Sequence, residues 1–553
     1  MIRDELKVLF EKDARCFDSD GISETLLNVF DEFILNRADD TFNSEVLNVY
    51  RKFVPMKHQA PKNMKTVLFS SIAGYAKEVA SKGNYLGALV LYRFLIVKSV
   101  LDSLDYLTVA KYLSKLGDDK LYSEFLKIYG EKEENKLLSY IELADFYKGI
   151  NDYKNAINCY EKFLEIDKTK VSIYTITANL YSKLNGSKSL KQQIELYEQA
   201  YKLQSDNRLV LHGLAFGYEK LGQKEKSKYF YEKLIQNNPT ENDLFNYGCF
   251  LIHCGDFVNG HKYFTHRFNI DDINLKYPAD ESKKWDFQSD ISGKTLLVHY
   301  EQGFGDTIMY CRFVPFLKKI ANKVIFTVQK ELYDLISGSE IFKGIEVVTD
   351  ENDTDYDVNM ALLDVPFVLK TTADNLPYTS KYLDIAEDKV IDYKNKYLSD
   401  DKCFKIGLSC SGEKNANYND RNIDIKKIYS LLKDIQDIKL YDLQKNSGEY
   451  DGVIPLGNVF GNFTDSACAV KNMDLIITTD NVILNLAGAL GVKTIALFNK
   501  ETNYRWYKTK GENVSWYESV KPLQNAIQND WNKTFSELLN IVCEFLKNSD
   551  IIQ

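Results

Sequence analysis

Two hydrophobic rhythms divide the chain. Up to about residue 270, apolar positions recur at helical spacing, and the pattern itself repeats. Small residues at Ala76, Ala110, Ala144, Ala178, Ala215 and Gly248 open similar segments, separated by steps of 34, 34, 34, 37 and 33 residues. Seven residues after the small position a turn residue follows, at Gly83, Gly117, Asn151, Gly222 and Gly255. The fourth unit departs from this rule: Leu184-Asn185-Gly186-Ser187 reads as a lengthened turn. An aromatic stands sixteen residues after the small position at Tyr92, Tyr160, Tyr231 and Phe264, and Pro239 closes one unit after Asn237-Asn238. A period of this length predicts two antiparallel helices per unit. Ala or Gly suits a close helix crossing, and the aromatic fills the gap to the next unit.

This pattern resembles the tetratricopeptide repeat, most clearly over residues 137–170 and 208–241. The repeats are expected over 66–270. Residues 1–65 carry helical patterns without clear register, such as LLNVFDEFIL at 26–35, and are expected to form a helical capping segment. Such repeats stack into a curved array whose concave face suits a peptide or a partner protein. A spacing or oligomerisation module is the other reading.

Beyond residue 270 the period changes. Residues 271–292 are polar, contain a proline and read as a linker. Short β-rich runs then alternate with helical stretches. TLLVHY at 295–300, KVIFTV at 323–328, IEVV near 345–348 and a run near 356–362 form one set, with helices expected near 307–320 and 331–337. FKIGLS at 404–409, IKLYDL at 438–443, DLIITT at 474–479 and KTIALF at 493–498 form another. This alternation predicts parallel sheets with right-handed crossovers. The break near 385–403 predicts two Rossmann-like lobes, 293–395 and 404–553, the second ending in a terminal helix. Ligands of such folds bind at the carboxyl ends of the strands.

Composition narrows the function classes. The 553 residues hold 70 Lys+Arg against 79 Asp+Glu, a net charge of −9, which argues against a general nucleic-acid binder. Nine irregularly spaced cysteines fit a reducing compartment better than a disulfide framework. The amino-terminal run MIRDELKVLFEKDARCF has no apolar core of signal-peptide type, and no apolar run is long enough to span a membrane. A cytoplasmic protein is expected.

Three segments concentrate candidate chemistry. His299-Tyr300-Glu301-Gln302-Gly303-Phe304-Gly305-Asp306-Thr307 follows a strand and opens a helix. Gly303 and Gly305 permit a tight turn and close backbone approach, while a nicotinamide fingerprint would need a third glycine. Asp306 reads as a helix N-cap or as a general base in the cleft. Ser409-Cys410-Ser411-Gly412-Glu413-Lys414, with Asn419-Asp420-Arg421, places small hydroxyls, a glycine and two cations after a strand, which suits a diphosphate or reads as a solvated loop. Thr478-Thr479-Asp480-Asn481 leads from a strand into a helix continuing through Asn485 to Ala487-Gly488-Ala489. Its start favours a phosphate or a hydroxyl-rich ring, or is a simple N-cap by Asp480. Ala487-Gly488-Ala489 would let the helix lie close to its sheet.

Taken in order, and with Leu443-Gln444-Lys445, Tyr504-Arg505-Trp506-Tyr507, Ser515-Trp516-Tyr517 and Asp530-Trp531, these segments resemble the heptosyltransferase-type glycosyltransferases, specifically members fused to tetratricopeptide repeats. The resemblance covers about 290–540. It implies a two-lobed glycosyltransferase fold of the B type that transfers a sugar from a nucleotide donor with inversion, without a required metal or cofactor. It implies Asp306 as the base. It implies donor binding by Ser411, Gly412, Lys414, Arg421, Asp480, Asn481 and Asn485, with Gln444 near the nucleoside. The chemistry is self-consistent: an attacking hydroxyl needs a base, and a departing nucleoside diphosphate needs fixed dipoles and cations.

The chain departs from the family at Asn481 and Asn485, where threonine and histidine are common, and at Cys410, where tryptophan is. All six histidines lie at or before His299, so none follows it to serve as base. The expectation is a transferase whose repeats recruit a protein acceptor, such as a flagellin or another surface polypeptide. The rivals are a non-catalytic repeat scaffold with a degenerate transferase lobe and a transferase acting on a saccharide or lipid-linked glycan. Two further patterns are expected to be structural: Asp353, Asp355 and Asp357 before a strand, and Cys249, His253, Cys254, His261 and His266, whose spacing matches no standard zinc site.

Overall fold

The computed structural model describes residues 6–11, 24–38, 46, 62–97, 101, 103–131, 136–184, 187–270, 277, 279–350, 354–398, 403–411, 421–445, 448, 450–500, 502–506, 516–525 and 530–547. Two compact units divide at Leu221 and Gly222. The division falls inside the repeats rather than at the polar segment 271–292.

The first unit is built of helix pairs: Lys62–Ser81 with Tyr85–Val97, Ser103–Lys115 with Asp119–Gly130, Lys136–Gly149 with Tyr153–Ile166, and Val171–Tyr181 with Ser187–Leu203, followed by Arg208–Lys220. The periodic turn residues are where the backbone reverses. Gly83, Gly117 and Asn151 adopt left-handed φ of 85°, 75° and 62°, a conformation open to glycine and tolerated by asparagine. Asp118 and Asp152 then cap the helices that follow. Ala76, Ala110, Ala144 and Ala178 are fully buried at the crossings, with Tyr92 and Tyr160 buried at the gaps. In the unit with the longer turn, Tyr197 takes the aromatic place: a side chain at Gly213 would stand 2.3 Å from its ring. LLNVFDEFIL lies in the helix Glu24–Arg37, whose Asp31 pairs with the buried Arg93 at 2.8 Å. The rest of the expected capping segment lies largely outside the described residues.

The second unit begins with the helices Lys224–Gln236, Glu241–His253 and Phe257–Phe264. Gly222 and Gly255 carry the same left-handed turn, with φ of 74° and 86°. Two parallel sheets follow. β1 (Thr295–His299), β2 (Lys323–Thr327), β3 (Glu346–Val348) and β4 (Val358–Ala361) lie in the order β3-β2-β1-β4. β5 (Phe404–Ser409), β6 (Ile438–Asp442), β7 (Val453–Ile454), β8 (Leu475–Thr479), β9 (Thr494–Phe498) and β10 (Val520–Gln524) lie in the order β10-β9-β8-β5-β6-β7. The second order is that of a complete Rossmann sheet, and each sheet reverses its winding beside its own first strand. The expected helix near 307–320 is α-helical over Phe304–Tyr310 and a tighter 3-10 run over Cys311–Lys319. Pro315 inside that run removes an α-helical donor. The break between the sheets contains the helix Glu387–Tyr397. The terminal helix is Asn532–Lys547. Among the described residues no helix is long and apolar enough to cross a membrane.

One hydrophobic core joins the last repeat helices to both lobes. Phe257 stacks on Trp516 at 5.4 Å, and Trp516 lies 5.6 Å from Tyr310. Arg312, fully buried, donates to the carbonyls of Trp516 and Met309 and to Tyr382 Oη. A close backbone crossing lies at Gly248, where a Cβ would stand 2.7 Å from Phe264 N and 2.9 Å from Gly260 O. Both obstacles are backbone, so Gly248→Ala is expected to cost about 1–3 kcal/mol through overpacking. All four tryptophans (285, 506, 516 and 531) lie in this unit. A lowered urea midpoint in tryptophan fluorescence checks the prediction without interference from the first unit.

Candidate functional site

The candidate residues gather at the carboxyl edges of the two sheets, beside the winding reversals. The segment Tyr300–Asp306 follows β1. Ser411 follows β5, Gln444 follows β6, and Asp480 with Asn481 follows β8. Neighbouring crossovers leave a parallel sheet in opposite directions at such a reversal and open a crevice there.

Asp306 is not the N-cap residue of its helix, which is Gly303, but it closes the cap from the third helical position. It lies in the first turn of Phe304–Tyr310, and its Oδ2 accepts from the N–H of Gly303 at 3.3 Å. Its Oδ1 meets Nη2 of Arg505, from the second lobe, at 2.7 Å. Arg505 also donates to Gln302 Oε1 at 2.8 Å and to Asn503 Oδ1 at 3.0 Å. Gln302 holds φ at 61°, so a non-glycine residue takes a strained conformation beside the carboxylate. Burial pushes the Asp306 carboxyl above its ordinary range, against the pull of Arg505 and the Gly303 N–H. Gly305 lets this helix approach Val482–Ala489 of the second lobe: a Cβ there would stand 3.0 Å from Asn485 Nδ2.

In the second lobe, Arg421 Nη1 pairs with Asp480 Oδ2 at 2.9 Å. Asn481, not Asp480, caps the following helix, accepting from the N–H groups of Ile483 and Leu484 while donating to Ser409 O at 2.9 Å. Gln444 Oε1 accepts from the N–H groups of Cys410 and Ser411, both at 2.6 Å, and from Ser411 Oγ at 3.0 Å. Gly457 is required behind it, since a Cβ there would stand 2.2 Å from the Gln444 carbonyl. Asn485 accepts from Tyr517 Oη at 2.8 Å. Gly488 abuts the ring of Tyr517, 2.4 Å from where its Cβ would be, so it makes room for an aromatic rather than for the sheet. Gly412 and Lys414 lie outside the described residues.

Two features escaped the sequence reading. One is Arg505, visible only as part of an aromatic tail. The other is a buried charge cluster under the first turn. Arg267, from the 3-10 turn after the last repeat helix, donates through Nε to Glu301 Oε2 at 2.8 Å and through Nη1 to Asp364 Oδ1 at 2.5 Å. Glu301 also accepts from Leu363 N–H at 3.1 Å. All three side chains are at most 2% exposed. The cluster fixes the residue directly before Gln302.

The patterns expected to be structural have local partners. Asp357 accepts from Thr295 N–H at 2.7 Å, His261 Nδ1 contacts the Phe257 carbonyl at 3.0 Å, and His266 contacts Glu241 at 2.7 Å. Burial lowers both His261 and His299 to about 4. Above pH 6.5 each ring is neutral in folded and unfolded chains and contributes nothing. Between pH 6.5 and about 4 the unfolded chain takes up protons that the folded chain refuses, and stability falls. The expected loss is about 3 kcal/mol per histidine. Urea midpoints followed by tryptophan fluorescence from pH 7 to pH 4 measure it, and His261→Phe should flatten the slope.

Helix pairs followed by two Rossmann-like lobes that meet at Asp306 and Arg505 define the class. A family model for the tetratricopeptide repeat matches residues 137–170. The chain is similar to protein FlbA of Caulobacter vibrioides, at 22% identity over 390 residues, 64% of this chain and 64% of that protein. It is also similar to a TPR repeat-containing protein of Methanocaldococcus jannaschii, at 28% identity over 130 residues, 24% of this chain and 22% of that one. The matched region thus spans less than two thirds of either relative. Among solved structures, a glycosyl transferase family 9 protein from Veillonella parvula aligns with 48% of this chain and all of its own, at 11% identity and a TM-score of 0.36. MamA aligns with 32% of this chain and 96% of its own, at 20% identity and a TM-score of 0.28.

Proposed function

We propose that the protein is an inverting, metal-independent glycosyltransferase that moves a sugar from a nucleotide donor to an acceptor hydroxyl. The observation that carries this reading is the carboxylate of Asp306 beyond the carboxyl end of β1, met across the lobes by Arg505 of the second lobe, which also carries the Arg421–Asp480 pair. A carboxylate raised by burial is suited to accept a hydroxyl proton. Arg421 and Arg505, with Ser411, Gly412 and Lys414, would meet the charge that develops on a departing diphosphate. The repeats would recruit the acceptor, a protein or peptide, in a cytoplasmic setting.

A second reading has its own support. Asn481 and Gln444 use their polar atoms within the protein, and Asp306 is ion-paired. Such a lobe could serve a non-catalytic scaffold. Thermal-shift binding against nucleoside diphosphates and nucleotide sugars separates the two. A ligand at a hundred times its dissociation constant stabilises the fold it binds by about 2.7 kcal/mol. The transferase reading expects at least one such shift, followed by sugar transfer from that donor. Folded protein that shifts with no nucleotide supports the scaffold.

A further inference from the structure

The ion pair across the lobes weakens Asp306 as a base. Its Oδ1 is taken by Arg505 at 2.7 Å and its Oδ2 accepts the Gly303 N–H at 3.3 Å. A base must meet its proton donor at hydrogen-bond distance. Each oxygen keeps a second acceptor site, but the cation at Oδ1 lowers the carboxylate's affinity for a proton, so the guanidinium must leave before Asp306 is a base of full strength.

The arginine is the less well satisfied partner. It reaches Asp306 end-on, through Nη2 alone, and that same nitrogen serves Gln302. Its Nε is buried and has no partner. A guanidinium is built for two parallel bonds to a carboxylate or phosphate, and Asp306 receives only one of them. Asp480 lies near enough for its charge to act on both Asp306 and Arg505, and Arg421 sits on Asp480. The cleft therefore holds a run of carboxylates and guanidiniums that neutralise one another.

We propose that Arg505 is an exchangeable clamp: it holds the Asp306 carboxylate until a diphosphate arrives on the second lobe, takes over the guanidinium and frees the base. A diphosphate offers several anionic oxygens to the guanidinium, where Asp306 offers one. Release also removes the cation beside Asp306 and strengthens it as a base. The base would then be armed only when the donor is in place, and donor would bind before acceptor. The inference rests on the transferase reading for the role of Asp306, but the exchange itself needs only an anion.

Calorimetric titration of the full chain with inorganic pyrophosphate tests it, with circular dichroism to establish that each variant is folded. Asp306→Asn is expected to bind pyrophosphate about five- to tenfold more tightly than the parent, the scale of releasing one partly buried ion pair. Arg505→Gln is expected to bind at least tenfold more weakly. In the double variant the gain from Asp306→Asn should vanish, because no guanidinium remains to be released. Three outcomes overturn the clamp: no tightening in Asp306→Asn, a gain that persists in the double variant and so reports only the loss of a negative charge, or no pyrophosphate binding by any folded variant. Coupled binding without turnover of any nucleotide sugar would sink the transferase reading and leave the clamp standing. Turnover without coupling would do the reverse.

Discussion

Arg267→Ala is expected to destabilise the second unit by about 3–5 kcal/mol, the cost of removing one partner from a buried ion pair. The guanidinium is 1% exposed and holds Glu301 and Asp364, each 2% exposed. Truncation leaves two carboxylates in a water-poor site without their paired cation, Lys284 acting on Asp364 only as a lesser charge, so they must take up protons or draw water inward. Burial already pushes Asp364 upward against the pull of Arg267. The variant should therefore also become more sensitive to alkaline pH, because each carboxylate that ionises does so unpaired. Tryptophan fluorescence in urea gives the magnitude. A loss below about 1 kcal/mol would show that the cluster breaks even against its desolvation cost. The conservative Arg267→Lys keeps the charge but not the fork, and should recover only part of the loss.

Asp306→Asn is expected to reduce sugar transfer by about 10²- to 10⁴-fold, the range attached to a positioned general base, while leaving the unfolding midpoint nearly unchanged. Asparagine keeps the size of the side chain and can still accept the Gly303 N–H, so the turn should persist. What it cannot do is take a proton. In the parent, burial raises the Asp306 carboxyl. Transfer should therefore fall, as pH drops, at a value above the ordinary carboxylate range, because protonation removes the base. That acidic limb should be absent from whatever rate the variant retains. The rate is measured with the donor identified by thermal shift, and the midpoint by circular dichroism. A variant that transfers sugar within a few-fold of the parent would remove Asp306 from the chemistry.

The repeats were legible because their signals are local. A left-handed turn admits glycine or asparagine, so Gly83, Gly117, Asn151, Gly222 and Gly255 stand out at fixed spacing. Strands of the two sheets were legible because buried parallel strands are short apolar runs. β7 and β10 were not: Val453–Ile454 is only two residues long, and Val520-Lys521-Pro522-Leu523-Gln524 has a proline inside it and polar residues around it. An edge strand paired only with β9 can absorb that proline, since one side of its ladder goes unused. At the site, the elements carrying Asp306, Gln444 and Asp480 could be read, but not what their side chains touch. Arg505 reaches Gln302 across 203 positions, and Arg267 reaches Asp364 across 97. No periodicity links positions so far apart. Asn481 illustrates the same limit, since one amide serves both its helix and the end of β5, 72 positions earlier.

The last two repeat helices belong to the lobes as much as to the array. Phe257 stacks on Trp516, Phe264 meets Tyr504 at 5.5 Å, and Arg267 anchors the residue before Gln302. For the history of such a chain, this means that the interchangeable cassette is not the one the linker marks. Recombination at residue 271 would hand a new array to lobes stripped of their own floor, whereas duplication or loss of helix pairs ahead of Gly222 leaves every neighbour of Asp306 described here in place. Array length can thus drift between lineages while the terminal pair evolves in step with the lobes.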